Sequence, residues 1–304
     1  MDLSLSLFGQ SLKNPLIAAS GCYGFGREAA EYSNLSDWGA VCSKGLTLLP
    51  RLGNPAPRVC ETPSGMLNSV GLQNPGIDAF LRDDFVFMRS SGVPLILNLA
   101  GNSPEDFALL CEKADLPGVL AIELNLSCPN VTSGGMLIGS HPEQIYQVLK
   151  VSKAATSKPL IAKLTPNVSD ITECARAAEE GGADAVSLVN TFLAMAVDIR
   201  TKRPILRHNT GGLSGPAIKP IALRMCAELY RSVQIPIIAM GGIQNGEDVL
   251  EYILAGASAV ELGMVNFIRP FAAREIAQEC LKLADELKIN SWDSWRGSLS
   301  YWNN

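Results

Sequence analysis

The stretch ELNLSCPN at residues 123–130 sets one thiol, Cys128, three residues after Asn125 and directly before Pro129. Its first half reads as a buried strand, and the turn that ends such a strand is where many enzymes carry their reacting groups. A residue before proline is pushed toward extended geometry, so Cys128 leaves the strand line and can swing back above Asn125. Cysteine also packs as a small hydrophobe, and that plain role suits the other cysteines of the chain. The segment that follows, VTSGGMLIG at 131–139, contains the glycines of a loop that can hinge over a ligand.

Other polar residues recur in the same situation, at the ends of short apolar runs. They are Ser20 and Gly21, Lys44 and Gly45, Asn98, Asn125, Lys163, Asn190 and Thr191, Gly241 and Gly242, and Gly263, with Asn68 in a long intervening segment. Any single Asn or Gly is an ordinary turn residue. Two lysines and four asparagines brought together would be costly to desolvate without a polar ligand. Asparagine offers both a donor and an acceptor, matching the amide edge of a cyclic ureide or pyrimidine, and lysine offers a cation to a carboxylate or an electron-rich ring. Bare backbone N–H groups at Gly241, Gly242 and Gly263 suit phosphate oxygens, although glycine also closes tight turns.

The elements that must bring these residues together are eight apolar runs: Leu16–Ala19, Ala40–Ser43, Leu95–Ala100, Ala121–Leu126, Leu160–Leu164, Ala185–Val189, Pro236–Ala239 and Ala259–Leu262. Helical patterns lie between them, near Glu28–Leu35, Pro104–Ala114, Pro142–Ala155, Ser169–Glu180, Pro216–Ser232 and Gly246–Ala255, and a last one near Pro270–Leu287. Continuously apolar strands alternating with helices predict a parallel sheet covered on its outer face. Eight such units predict an α/β fold of the (β/α)8 TIM-barrel type, a single domain over residues 1–304, with every listed polar group at the carboxyl face. An open doubly wound sheet is the alternative, but its GxGxxG signal is missing, because GCYGFG follows the first strand instead. Two long insertions, after the second and sixth strands, emerge from that same face and are expected to be functional loops. The N-terminal LSLSLFGQSLKNP alternates with period two and predicts a small β-hairpin plugging the opposite end.

Composition narrows the class. A hydrophobic fraction of 47% with 18% charged residues supports a large core, and a net charge of -5 without a basic cluster argues against a nucleic-acid partner. No apolar run reaches the ~20 residues of a membrane span, and the first residues lack a secretory pattern, so a cytoplasmic, membrane-free protein is expected. The eight cysteines form no CxxC and histidines number two, which argues against a metal or iron–sulfur site in this chain.

Taken as a set, ASGCYGFG, KGLT, NSVGLQNPG, ELNLSCPN, AKLTPN, Asn190-Thr191, TGGLSGPAIKP and MGGI resemble the catalytic, FMN-binding subunit of class 1B dihydroorotate dehydrogenase, in the right order over essentially the whole chain. The resemblance implies oxidation of dihydroorotate to orotate in de novo pyrimidine (UMP) synthesis. It assigns FMN contacts to Ser20, Lys44, Gly45, Asn98, Asn125, Lys163, Val189, Gly215, Gly241, Gly242, Gly263 and Met264. It assigns dihydroorotate contacts to Lys44, to Asn68, Ser69, Val70, Gly71 and Leu72, and to Asn125, Asn190 and Thr191, with Cys128 as the general base. A free thiol titrates near ~8.5, so a rate rising with pH is expected. The cysteine base and short N-terminus depart from the membrane-bound class, and TGGLSGPAIKP with SGCYGFG favours the NAD-linked type over the fumarate-linked class 1A homodimer. That type implies a homodimeric core joined by a partner subunit carrying FAD and an iron–sulfur cluster. The other enzyme resemblance is to the flavin module of dihydropyrimidine dehydrogenase, which reduces uracil or thymine.

Overall fold

The computed structural model describes residues 2–127 and 138–302. A hairpin of β1 (Leu5–Leu7) and β2 (Gln10–Leu12) precedes β3 (Leu16–Ala18) and β4 (Ala40–Cys42). The first insertion carries β5 (Val59–Thr62) and β6 (Gly65–Asn68), followed by β7 (Leu95–Leu99), β8 (Val119–Asn125), β9 (Leu160–Lys163) and β10 (Ala185–Leu188). The second carries β11 (Phe192–Ala194), β12 (Val197–Asp198), β13 (Arg203–Pro204) and β14 (Gly211–Ser214), before β15 (Ile237–Met240) and β16 (Ala259–Leu262). Eight of these strands close a barrel in the order β3-β4-β7-β8-β9-β10-β15-β16, with β16 pairing back onto β3 in parallel. Each coincides with one of the eight apolar runs, because a strand covered on both faces has no polar side to alternate with.

Helices wrap the barrel at Pro104–Ala114, Pro142–Ala155, Ile171–Glu180, Lys219–Tyr230, Gly246–Leu254 and Ala272–Glu286. Three begin on side-chain caps: Ser103 accepts from the Asp106 amide, Asp170 from Thr172 and Asn245 from Asp248. Each such cap is worth about 1 kcal/mol. The helix expected near Glu28–Leu35 is instead a single turn, Arg27–Ala30, followed by a 3-10 turn at Leu35–Asp37. Asn34 is the cause, since its side chain takes the Ser36 amide and starts a new turn. Ile77–Arg82 and Asp84–Ser90 form the helical layer between β4 and β7.

The interior of the barrel changes character along its axis. Ile17, Ala40, Ile96, Ala121, Ile161, Ala185, Ile238 and Ala259 pack into one buried apolar cluster with Leu7 and Leu12 of the hairpin. The expected plug is therefore in place. Two residues further along each strand the side chain points inward again, and there stand Asn98, Glu123, Lys163, Ser187, Met240 and Glu261. The insertions, expected as loops, hold a four-stranded sheet in the order β11-β14-β6-β5. Its central pairing, Gly212 opposite Asn68, ties the two insertions together. Short strands rich in glycine carry no periodicity, and their partners lie far away in sequence, which hid them.

Candidate active site

The polar layer is built around Glu123, which is wholly buried on β8. Its Oε1 accepts from Asn98 Nδ2 at 2.6 Å, from Lys163 Nζ at 3.1 Å and from Cys42 Sγ at 3.4 Å, while Oε2 accepts from Ser187 Oγ at 2.7 Å. Lys163 also reaches Glu261 Oε2 on β16, at 3.3 Å. Burial alone would push the Glu123 carboxyl up, but Lys163, a hydrogen bond from the Glu261 carboxyl, Ser187 and Asn98 outweigh it and hold the group below the ordinary carboxylate range. Burial likewise works against the Lys163 charge, and the two carboxylates overcome it, keeping the ammonium protonated. Cys42 is driven the other way, its thiol raised by burial and by the two carboxylates.

Above this layer the strand ends carry amides. Asn190, just past β10, accepts the Thr191 amide on Oδ1 at 2.8 Å, which aims its Nδ2 at Asn125 Oδ1, 3.4 Å away at the end of β8, and at Ser127 Oγ. Ser127 Oγ donates to Asn125 Oδ1 at 2.8 Å, completing a triangle of side chains. Lys44 follows β4, partly buried, and loss of solvent lowers the affinity of its ammonium for the proton. From the first insertion, Leu72 leans on Gly45, where an added Cβ would lie 3.1 Å from Leu72 Cδ2 and 2.9 Å from Asn98 Oδ1. Asn68 Nδ2 donates to the Gly212 carbonyl at 3.3 Å, and a Cβ on Gly212 would strike Thr191 Oγ1. Asn68, Leu72, Lys44, Asn125, Asn190 and Thr191 thus share one mouth.

Glycines line the edge of the mouth beyond β15 and β16. Gly241 and Gly242 hold φ of 132° and 72°, and Gly215, at the start of the turn leading into Lys219–Tyr230, holds 105°. A Cβ on Gly242 would lie 2.8 Å from the Gly215 carbonyl, and one on Gly215 would lie 2.6 Å from Met264 Sδ. Gly215 thus lies against both Gly242 and Met264, at the barrel position that commonly binds phosphate.

A family model described as Dihydroorotate dehydrogenase matches residues 2–283. The chain belongs to the dihydroorotate dehydrogenase family. Among its relatives, "Dihydroorotate dehydrogenase B (NAD(+)), catalytic subunit" of Thermoanaerobacter pseudethanolicus is 53% identical over 278 residues, covering 91% of this chain and 92% of that protein. The protein of the same name from Caldicellulosiruptor saccharolyticus is 51% identical over 300 residues, covering 99% of this chain and 100% of the relative. In fold, the chain is similar to a crystal structure of DHODH in complex with ferulenol from Eimeria tenella, with a TM-score of 0.80 over 97% of this chain and 88% of that one, at 23% identity.

Within this dihydroorotate dehydrogenase barrel, the residues expected from sequence fall into two groups. Lys163 and Asn98 lie in the buried layer, while Lys44, Gly45, Asn68, Leu72, Asn125, Asn190, Thr191, Gly215, Gly241, Gly242 and Met264 surround the mouth. Val189 and Gly263 sit directly after β10 and β16, Ser20 lies two residues beyond β3, and Ser69, Val70 and Gly71 follow β6. Cys128 lies outside the described residues, as does most of segment 131–139. Sequence reasoning does not supply the partners of Glu123, the acid that opens ELNLSCPN, which are Lys163, Asn98, Ser187 and Cys42. It missed Glu261 altogether, although an acid inside the apolar run AVEL is the same signal.

Proposed function

We propose that the chain, as a single barrel domain, oxidises dihydroorotate to orotate in pyrimidine synthesis, with FMN as the group it holds and NAD as the final electron acceptor. The observation that carries this reading is the stacking of two chemistries on one axis: an amide triangle, Asn125, Ser127 and Asn190, above a buried ammonium, Lys163. The residues fit a flavin. Asn98 Oδ1 is buried and has no hydrogen-bond partner among the described residues, an acceptor suited to a ring N–H. Gly215, Gly241 and Gly242 carry no side chain of their own and hold positive φ, and their bare backbone amides suit a phosphate.

FMN, when bound, supplies the acceptor for the hydride that leaves the substrate ring. The chain does the rest. Lys163 sets positive charge beneath the site where negative charge develops, a preorganised contribution that needs no rearrangement during the reaction. Asn125, Asn190, Asn68 and Thr191 present paired donors and acceptors to the ureide edge, with the 69–72 turn and Lys44 closing the side nearest the substrate carboxylate. Cys128 removes the proton from the carbon beside the carbonyl. Ser20, Gly45, Val189, Gly263 and Met264 would complete the set of residues that hold FMN. A homodimeric core with an FAD and iron–sulfur partner subunit, in the cytoplasm, completes the proposal; the relatives' own names describe a catalytic subunit.

Stopped-flow mixing with dihydroorotate tests it. The FMN-loaded protein should bleach rapidly, and Cys128→Ser should slow bleaching at pH 7 by a factor of about 100 or more, since serine is a far weaker base. Indifference to dihydroorotate with turnover of uracil would replace this reading with the dihydropyrimidine one. Electrons passing to fumarate without a partner would replace the acceptor.

A further inference from the structure

The buried layer holds two carboxylates and one ammonium, and the two acids are treated unequally. Glu123 accepts from four donors, a full set for an ionised carboxylate. Glu261 is 1% exposed, its Oε2 accepts from Lys163, its carboxyl also shares a hydrogen bond with that of Glu123, and its Oε1 has no other partner among the described residues. Its oxygens lie within 4.8 Å of those of Glu123 and of Cys42 Sγ. A metal ion between the acids is not needed, because the Lys163 ammonium already bridges both. One cation balances one carboxylate, so the second acid either carries a proton or leaves an uncompensated charge in the barrel.

We propose that Glu261 is a positioning residue that couples a proton to the redox state of the flavin, acting through Lys163: it is protonated while the flavin is reduced, and above neutral pH returns that proton to solvent when the flavin is oxidised. This rests on the reading of the mouth as a flavin site. The driving force is charge. Reduction adds negative charge above Lys163, and an ionised Glu261 would then oppose both that charge and Glu123. Taking one proton from solvent onto the Glu261 carboxylate restores balance, while both electrons come from the substrate. Burial, and then Glu123, already push the Glu261 carboxyl up to about 8, placing its titration where the effect is measurable. The groups facing it are Glu123 from β8, Lys163 from β9, Cys42 from β4 and Cys22 from the segment after β3. The neighbouring strands β3 and β15 offer Ile17 and Met240 in register, neither of which titrates.

The flavin potential of the FMN-loaded protein, followed spectroscopically against reference dyes from about pH 6 to about pH 10, tests the coupling. One extra proton per two electrons makes the equilibrium tenfold more pH-dependent per unit, or about 30 mV steeper, above the Glu261 titration. The wild type should show this bend, and Glu261→Gln should lack it while still taking up FMN, because Gln mimics the protonated acid. Glu261→Asp should restore it. A bend retained in Glu261→Gln, or absent from the wild type, overturns the coupling while leaving the flavin reading intact. Wild-type protein that takes up no FMN overturns both. Should Glu261→Gln fail to fold, the infrared difference spectrum of the wild type decides: reduction above pH 9 should raise a protonated-carboxyl band, and its absence overturns the proposal.

Discussion

Glu123 shows how one side chain can be a structural necessity and a chemical asset together. Glu123→Gln removes the charge that Lys163 is paired with, leaving an ammonium buried against a neutral amide. Breaking a buried pair in this way costs about 3–5 kcal/mol, so a large fall in melting temperature at pH 7 is expected. Glu261→Gln, which keeps neutral a group the folded chain must otherwise protonate at pH 7, should instead raise the melting temperature under the same conditions, which makes calorimetry of the two variants a direct comparison. The pH dependence follows with its own sign. Glu261 titrates at 4.5 ordinarily and at about 8 here, so the folded chain holds a proton that the unfolded chain has released between those values. Stability from this group is complete below pH 4.5 and declines as pH rises toward 8, by up to about 1.4 kcal/mol per unit. Glu123, shifted down, works in the opposite direction and withdraws its contribution as the solution becomes acidic. Melting temperatures should therefore fall from pH 6 to about pH 8 in the wild type and be flatter over that window in Glu261→Gln.

At the scale of elements, the inserted sheet is what brings distant segments to one mouth. Its β6–β14 pairing leaves no room for a side chain at Gly212, where a Cβ would meet Thr191. Gly212→Val should displace Thr191 and weaken dihydroorotate binding about tenfold or more, with barrel circular dichroism unchanged. A variant binding normally would show that the insertions do not shape the pocket. The barrel strands were readable in the sequence because burial on both faces leaves an uninterrupted apolar run, as in AVC and IIAM. Lys163 and Asn125 were readable for the opposite reason, as polar residues closing such runs. The four-stranded sheet was not, since GMLN and GGLS owe their extended form to each other and not to their own composition. Glu261 escaped because one acid in a strand looks like a surface residue until the barrel closes around it.

The whole molecule combines a sealed end with an open one. Among the described residues no helix is long and apolar enough to cross a membrane, and NAD reduction by this chain should depend on an added partner subunit, as a coupled assay with and without it would show. Full NAD activity from the isolated chain would refute that division of labour. The hairpin makes the other end equally consequential. Leu12 is wholly buried beneath the barrel, so Leu12→Ala should destabilise by about 2–5 kcal/mol in urea melts. Its larger effect is on traffic. With Leu7 and Leu12 stoppering the floor, the barrel is a cup and not a pipe among the described residues, and the rim is its open side for water or protons bound for Glu123 and Glu261. Whatever fills the mouth therefore stands across the route by which the acids below exchange protons with solvent, so that exchange should be slower with the mouth filled than with it open.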